Sequence, residues 1–448
     1  MRTIEQHAQA LADGRTTSRA LVDECLARIA DPHGEGARAF VKVHAESART
    51  MADAMDLLRR AGREPTRYAG IPISLKDLFD IAGEPTPGGS RVLADAPPAK
   101  AHAPVVQRML AAGFVPLGRT NMSEFAFSGL GVNPHYGTPT APWDRASHRI
   151  PGGSSSGAAV SVADGMAIAG LGTDTGGSCR IPAAFCGIVG YKPTARRVPL
   201  DGVLPLAPSL DSVGPLAPSV ACCATIDAVL AGETQKPLER VDLAGMRLAA
   251  PTNVVLDGID DNVSSAFDRA LAVLSHAGAR ISRLHVAPFD EVRTVNAKGG
   301  FAAAEAYAWH QPLLTEKGAG YDQRIRVRIE QGNRFSGTDY LALLAARRRL
   351  IGGFDATTRG FDAVVMPTVA IVPPRIAALD DPGEYNRINL HILRNTALSN
   401  LFDRCSISLP CHRPSEAPVG LMLVGETMGD AKLLAIAAAV EAALAASR

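Results

Sequence analysis

Two serines set among glycines, Ser154 and Ser178, lie near the ends of the stretch PGGSSSGAAVSVADGMAIAGLGTDTGGS, which continues as CRIPAAFCGIVGYKPT to Thr194. A serine hydroxyl becomes a nucleophile when a base takes its proton and donors meet the charge on the attacked carbonyl oxygen. Glycine runs serve the second need, because backbone N–H groups approach developing charge with no Cβ in the way. The base must come from another segment.

Gly70-Ile71-Pro72-Ile73-Ser74-Leu75-Lys76-Asp77 reads as a short apolar strand after a Gly/Pro break, and it ends in a lysine. A lysine carried inward on a buried strand is a poor structural residue and a usable base. Its ordinary pKa is about 10.4, and bringing it to about 7 takes roughly 4 to 5 kcal/mol in favour of the neutral amine, which apolar burial can supply.

Together these segments resemble the amidase signature family of serine hydrolases, whose pattern is a lysine in G-x-P-x-x-x-K-D, then GGSS, then GTDTGGS-x-R-x-P. The likeness runs through Gly70–Asp77, Gly118–Phe125, Pro151–Thr194 and Ala417–Gly425, and is weakest over 225–360. It implies an α/β fold, a large mixed β-sheet covered by α-helices on both faces. It also implies Ser178 as nucleophile, Ser154 as the serine bridging it to the base through a cis peptide bond, and Lys76 as that base. Backbone N–H groups of Thr175, Gly176, Gly177 and Ser178 would form the oxyanion hole. The reaction implied is hydrolysis of a carboxamide to a carboxylate plus ammonia or an amine through an acyl-enzyme, with no metal or organic cofactor required. One departure is Ser156, since many members read GGSSGG and this chain reads GGSSSG. Allophanate hydrolases carry that variant, and Ser155 and Ser156 are read as bonding the loop backbone.

Other chemistries fit the same residues less well. Gly153-Ser154-Ser155-Ser156-Gly157 formally matches the G-x-S-x-G elbow of α/β-hydrolases, with His285 or His412 as partner, but Ser147–Pro151 is a poor strand to precede it. Asp174-Thr175-Gly176 matches half of an aspartic-protease dyad, and no second such element exists in the chain. Eleven histidines and seven cysteines include no C-x-x-C and no H-x-x-x-H, so no metal site is expected. Cys179 follows the nucleophile position as a small structural residue.

The elements that must hold these groups are legible in outline. Helices are expected at Thr3–Ala12, Ser18–Ile29, Ala45–Ala61, Val105–Ala112, Ala158–Asp164, Val263–His276 and Ala431–Ala445. Strands are expected at Phe114–Leu117, Ala167–Leu171 and Phe361–Pro367, and at Leu243–Pro251 and Arg280–Ala287 framing a β-α-β unit. The Pro-rich stretch Arg197–Ser219 reads as loops around the site. The chain is expected to be one domain: a helical layer at 1–66, the signature core at 67–225, and variable helices with closing strands at 226–448. Gly232–Asp242 is polar enough to mark a lobe boundary or a surface loop.

With 448 residues, 46% hydrophobic, and a net charge of +1, the chain can bury a large core and shows no electrostatic footprint for nucleic acid or an anionic membrane. The odd cysteine count suits reduced thiols, and MRTIEQHAQALADGR has no apolar signal core, so a cytoplasmic location is the expectation. The expected partner is a small-molecule amide, with a homodimer as the candidate assembly. Phe125, Phe127, Leu130 and Tyr136 are candidate substrate-pocket residues, as are parts of Ala302–Arg328 and Asn395–Phe402. Arg324, Arg326 and Arg328 could hold a substrate carboxylate or form a solvated face. Two alternatives are the glutaminase component (the A polypeptide) of a glutamyl-tRNA amidotransferase, which Thr338–Arg349 loosely resembles, and a non-catalytic binding relative.

Overall fold

The computed structural model describes residues 1–447; Arg448 lies outside the described residues. The strands are β1 (Phe40–Val43), β2 (Pro72–Lys76), β3 (Val115–Thr120), β4 (Ala169–Thr173), β5 (Val189–Lys192), β6 (Val213–Ala217), β7 (Arg247–Pro251), β8 (Arg280–Leu284), β9 (Ala363–Pro367), β10 (Ser406–Pro410) and β11 (Gly420–Val424). They join into one mixed sheet in the order β1-β3-β2-β4-β6-β5-β10-β11-β9-β7-β8. β2 runs parallel to both β3 and β4, and β7 runs parallel to both β8 and β9. The expected β-α-β unit is therefore present, with helix Asp261–His276 between its strands.

Helices cover both faces of this α/β sheet. Ile73 and Leu75 of β2 share a core with Val220 and Ile226 of helix Val220–Ala231 and Leu433 and Val440 of helix Asp430–Ala446. Val115 and Leu117 of β3 share a second core with Val22, Leu26, Ala48 and Val160, from the helices Ser18–Ala30, Ala45–Arg60 and Ser156–Ala163. Side chains alternate along a strand, so Ser74 and Lys76 point away from Ile73 and Leu75. Ser74 meets Ser161 of helix Ser156–Ala163, Oγ to Oγ at 2.9 Å. Lys76 is thereby aimed toward the N-terminal end of that helix, where the serine loop lies.

Glycine permits the close approach that this arrangement needs. A Cβ on Gly172 of β4 would sit 2.7 Å from Ser155 Oγ, and one on Gly157 would sit 2.2 Å from the Ala39 carbonyl oxygen. The helix expected at Ala158–Asp164 begins earlier, at Ser156, because the serine loop itself turns into its first residues. A larger difference lies in Arg197–Ser219, where Val213–Ala217 forms β6 in the middle of the sheet, against β4 and β5. Pro215 opposes Leu171 there, and proline in a central strand is a signal that ordinarily argues for a loop.

Two glycine substitutions should separate packing from helix propensity. Gly352, within helix Gly337–Thr358, has nothing within 4 Å of an added Cβ, so Gly352→Ala should stabilise the protein by about 0.5–1 kcal/mol. Gly157→Ala would press on backbone and should cost about 1–3 kcal/mol, outweighing the same propensity gain. Chemical denaturation of both variants measures the opposed signs.

Candidate active site

Lys76 ends β2, fully buried, beside the end of β4. Its Nζ lies 2.7 Å from Ser154 Oγ and 2.8 Å from Thr173 Oγ1, so hydroxyls rather than a carboxylate are its close partners. Burial lowers its pKa to about 8, against the weaker upward pull of Cys179, Asp174 and Asp211. An amine with that pKa is about one-tenth neutral at pH 7, and in that form it can accept a proton.

The peptide bond between Gly153 and Ser154 is cis. A loop from β3 grips this segment: Ser123 N–H donates to the Ser154 carbonyl at 3.1 Å, and Gly153 N–H donates to the Gly129 carbonyl at 2.8 Å. Ser155 N–H donates to the Ser178 carbonyl at 3.2 Å, which brings the serine loop against the glycine-rich turn after β4. Ser155 and Ser156 are fully buried and lie 3.3 Å from the Thr173 and Asn121 carbonyl oxygens, respectively. His285 is exposed and pairs with Asp290, while His412 bonds the backbone of Val419, so each is engaged elsewhere than at Ser155. Cys179 is buried and its thiol is pushed well above the ordinary range by desolvation, which leaves it protonated.

The turn that carries Ser178 is organised around Asp174. This fully buried carboxylate accepts from the N–H groups of Gly177 at 2.8 Å and Cys179 at 3.0 Å, the residues on either side of Ser178. Arg180 holds the carboxylate through Nε at 3.0 Å and Nη2 at 2.8 Å. Burial alone would raise the Asp174 pKa, but the charge and hydrogen bonds of Arg180 overcome it and hold the group at about 2. Asn400 Nδ2 donates to Asp174 Oδ1 at 3.0 Å and to its backbone carbonyl at 3.1 Å. Thr396 donates to the Gly176 carbonyl at 2.6 Å, and the Thr175 hydroxyl donates to Asp211. Gly177 has φ +137°, and a Cβ on it would lie 2.2 Å from Thr396 Oγ1, so the turn requires glycine there.

Lys76, Ser154, Ser178 and the turn Thr175–Gly177 are thus gathered where the ends of β2 and β4 meet the serine loop, but the Gly177 N–H expected in the oxyanion hole is turned to Asp174 Oδ1 at 2.8 Å, because the buried carboxylate claims it. The other candidates are dispersed. Phe125 is fully buried against His310 and Tyr321, and Leu130 is fully buried with Ile181, Phe185 and Ile392. Tyr136 is half-buried, with its hydroxyl directed at the Ser90 carbonyl. Phe127 lies beneath the Arg328 guanidinium, 4.9 Å from ring centroid to Cζ. Asp174 and Arg180 stand inside the sequence block that carries Ser178, and an aspartate and an arginine flanking that serine are the signal by which they could have been found. Asn400 and Thr396 come from helix Pro382–Leu401, more than two hundred residues downstream.

A buried lysine bonded to one serine, beside a glycine-rich turn that carries another, has the make-up of a serine hydrolase, and comparison with known proteins places it. The amidase family model matches residues 20–434. The 2-amino-5-chloromuconic acid deaminase of Comamonas testosteroni is 36% identical over 98% of this chain and 96% of its own length. The A component of the glutamyl-tRNA(Gln) amidotransferase of Chloroflexus aggregans is 34% identical over 97% and 94%. A crystal structure of an amidase superposes with a TM-score of 0.89 at 32% identity, over 98% of this chain and 99% of that one. The chain belongs to the amidase signature family. It is a hydrolase acting on carbon–nitrogen bonds, and among the described residues no helix is long and apolar enough to cross a membrane.

Arg180→Met should strand the Asp174 carboxylate in the core and destabilise the fold by about 3–5 kcal/mol at neutral pH. The sign with pH follows from Asp174. In the native protein its depressed pKa gives stability that is lost as pH falls below the unfolded value of about 3.9 toward about 2. In the variant the isolated carboxylate titrates high, so the gap between the two proteins should narrow on acidification in urea titrations across pH.

Proposed function

We propose that this protein is a stand-alone amidohydrolase of small carboxamides that carry a carboxylate. The observation that supports the chemistry most directly is Lys76, buried among hydroxyls, 2.7 Å from Ser154 Oγ. Lys76 takes the proton of Ser154, Ser154 takes that of Ser178, and Ser178 Oγ attacks the amide carbon. The N–H groups of Thr175, Gly176 and Ser178 receive the oxyanion, that of Gly177 being already given to Asp174 Oδ1. The relay reverses to protonate the departing nitrogen as the C–N bond breaks, leaving an ester on Ser178. Water then cleaves that ester to a carboxylic acid and restores the hydroxyl.

The substrate class follows from three arginines with different surroundings. Arg324 is bound to Asp322 at 2.8 Å and Arg326 to Glu330 at 2.7 Å. Among the described residues Arg328 has no acidic partner: its Nη1 approaches the Asn386 side chain at 3.4 Å, and its Nε is buried and unbonded. Desolvation lowers its pKa, the mark of a cation short of a counter-charge. It stacks on Phe127, in the loop that grips Ser154, so an anion on the substrate would complete it. The relative from Comamonas testosteroni is named for an acid as well. The similarity to the amidotransferase A components supports a second reading, a glutaminase within a complex, and that reading predicts co-purification with another polypeptide and turnover of glutamine.

A fluorophosphonate should form an adduct at Ser178 that is lost in Ser178→Ala and Lys76→Ala, with a labelling rate that rises through about pH 8 as Lys76 loses its proton. An adduct at Ser155, or ammonia release retained by Ser178→Ala, overturns the assignment. Arg328→Gln should raise KM about 10-fold or more for an acidic amide, the loss of a charge-assisted pair, and leave KM for a neutral amide unchanged.

A further inference from the structure

Arg347, on helix Gly337–Thr358, uses its whole guanidinium on backbone carbonyls. Nε donates to Leu401 at 2.9 Å, Nη2 to Asn400 at 3.2 Å and Nη1 to Ser209 at 2.9 Å. The first two carbonyls belong to the last turn of helix Pro382–Leu401, where carbonyls lack intrahelical partners and the helix dipole favours a cation. The third belongs to the loop that leads into Asp211.

The attachments at Asn400 and Ser209 lead to the Ser178 turn by one further contact each. Asn400, whose carbonyl Arg347 holds, bonds Asp174 through its side chain and accepts from Arg180 Nη2 at 2.7 Å. Asp211, two residues beyond Ser209, holds the Thr175 hydroxyl and the N–H groups of Leu206 and Ala207. The turn is therefore fastened from both sides by elements that meet at one guanidinium.

We infer that Arg347 is a positioning residue for the oxyanion-binding turn, locking the Asn400 and Asp211 supports of Asp174 and Thr175 in mutual register. It touches no reacting atom. Its role rests on the proposed nucleophile, Ser178, being the residue that reacts. Lysine cannot replace it, because one ammonium point charge does not reproduce a planar fork reaching three carbonyls. Arg347 also lines an open cavity of about 830 Å³ together with Ser209, Asp211 and Asp403, so a small planar cation can enter from solvent.

The test is the rate of fluorophosphonate labelling at Ser178, which needs no knowledge of the substrate. Arg347→Ala and Arg347→Lys should each label about 30-fold or more slowly, the scale set by small misplacements of reacting groups. Added guanidinium chloride should restore labelling to the alanine variant, and sodium chloride at equal concentration should not. Arg349→Ala on the same helix, which removes only an exposed pair with Glu291, should label at the wild-type rate. If Arg347→Ala does not fold, Arg347→Gln carries the same comparison. Wild-type-like labelling of the Arg347 variants, or a deficit that guanidinium does not relieve, overturns the inference. Absence of Ser178 labelling in the wild-type protein sinks the parent reading and the inference with it.

Discussion

The fully buried pair of Asp174 and Arg180 is the constraint on which the remainder of the site depends. A charged pair out of water is costly, and it persists only when every lone pair and N–H is met. Here both conditions hold: Asp174 takes two backbone N–H groups of the turn besides Arg180, and Arg180 Nη1 reaches the Thr396 carbonyl and Ser399 Oγ. Its value lies less in net stability than in direction. With Gly177 and Cys179 N–H drawn to one carboxylate, the backbone between them has little freedom, and Ser178 lies in that interval.

Lys76 shows the opposite treatment of a buried charge. Arg180 faces the Asp174 carboxylate and further acceptors, whereas Lys76 meets hydroxyls and has its pKa depressed by burial. The two side chains lie beside the same turn, Arg180 in an ion pair and Lys76, in the reading proposed above, exchanging protons.

Local patterns revealed much of this. Lys76 ends an apolar strand, and the helices expected from Thr3 and Ser18 are present, the first starting one residue later at Ile4 because Thr3 caps it. The failures have physical causes. Helix Pro382–Leu401 buries Asn389, Asn395, Thr396, Ser399 and Asn400, so the face it turns inward is polar and its hydrophobic periodicity is weak. β6 was hidden by Pro215 in a central strand. Of the residues that shape the turn, Asp174 and Arg180 stood in plain sequence beside Ser178, while Asn400 and Arg347 reach it only through tertiary packing that no local spacing encodes.

The attachment of Asn400 to Asp174 spans 226 positions of chain. During synthesis, which runs from the N-terminus, the serine loop and its turn leave the ribosome long before the helix that fastens them. Loop closure over such a separation is entropically late, so a nascent or truncated chain ending before Asn400 holds Ser178 without its restraint. The finished turn therefore waits for a segment that lies more than two hundred residues beyond it in the chain.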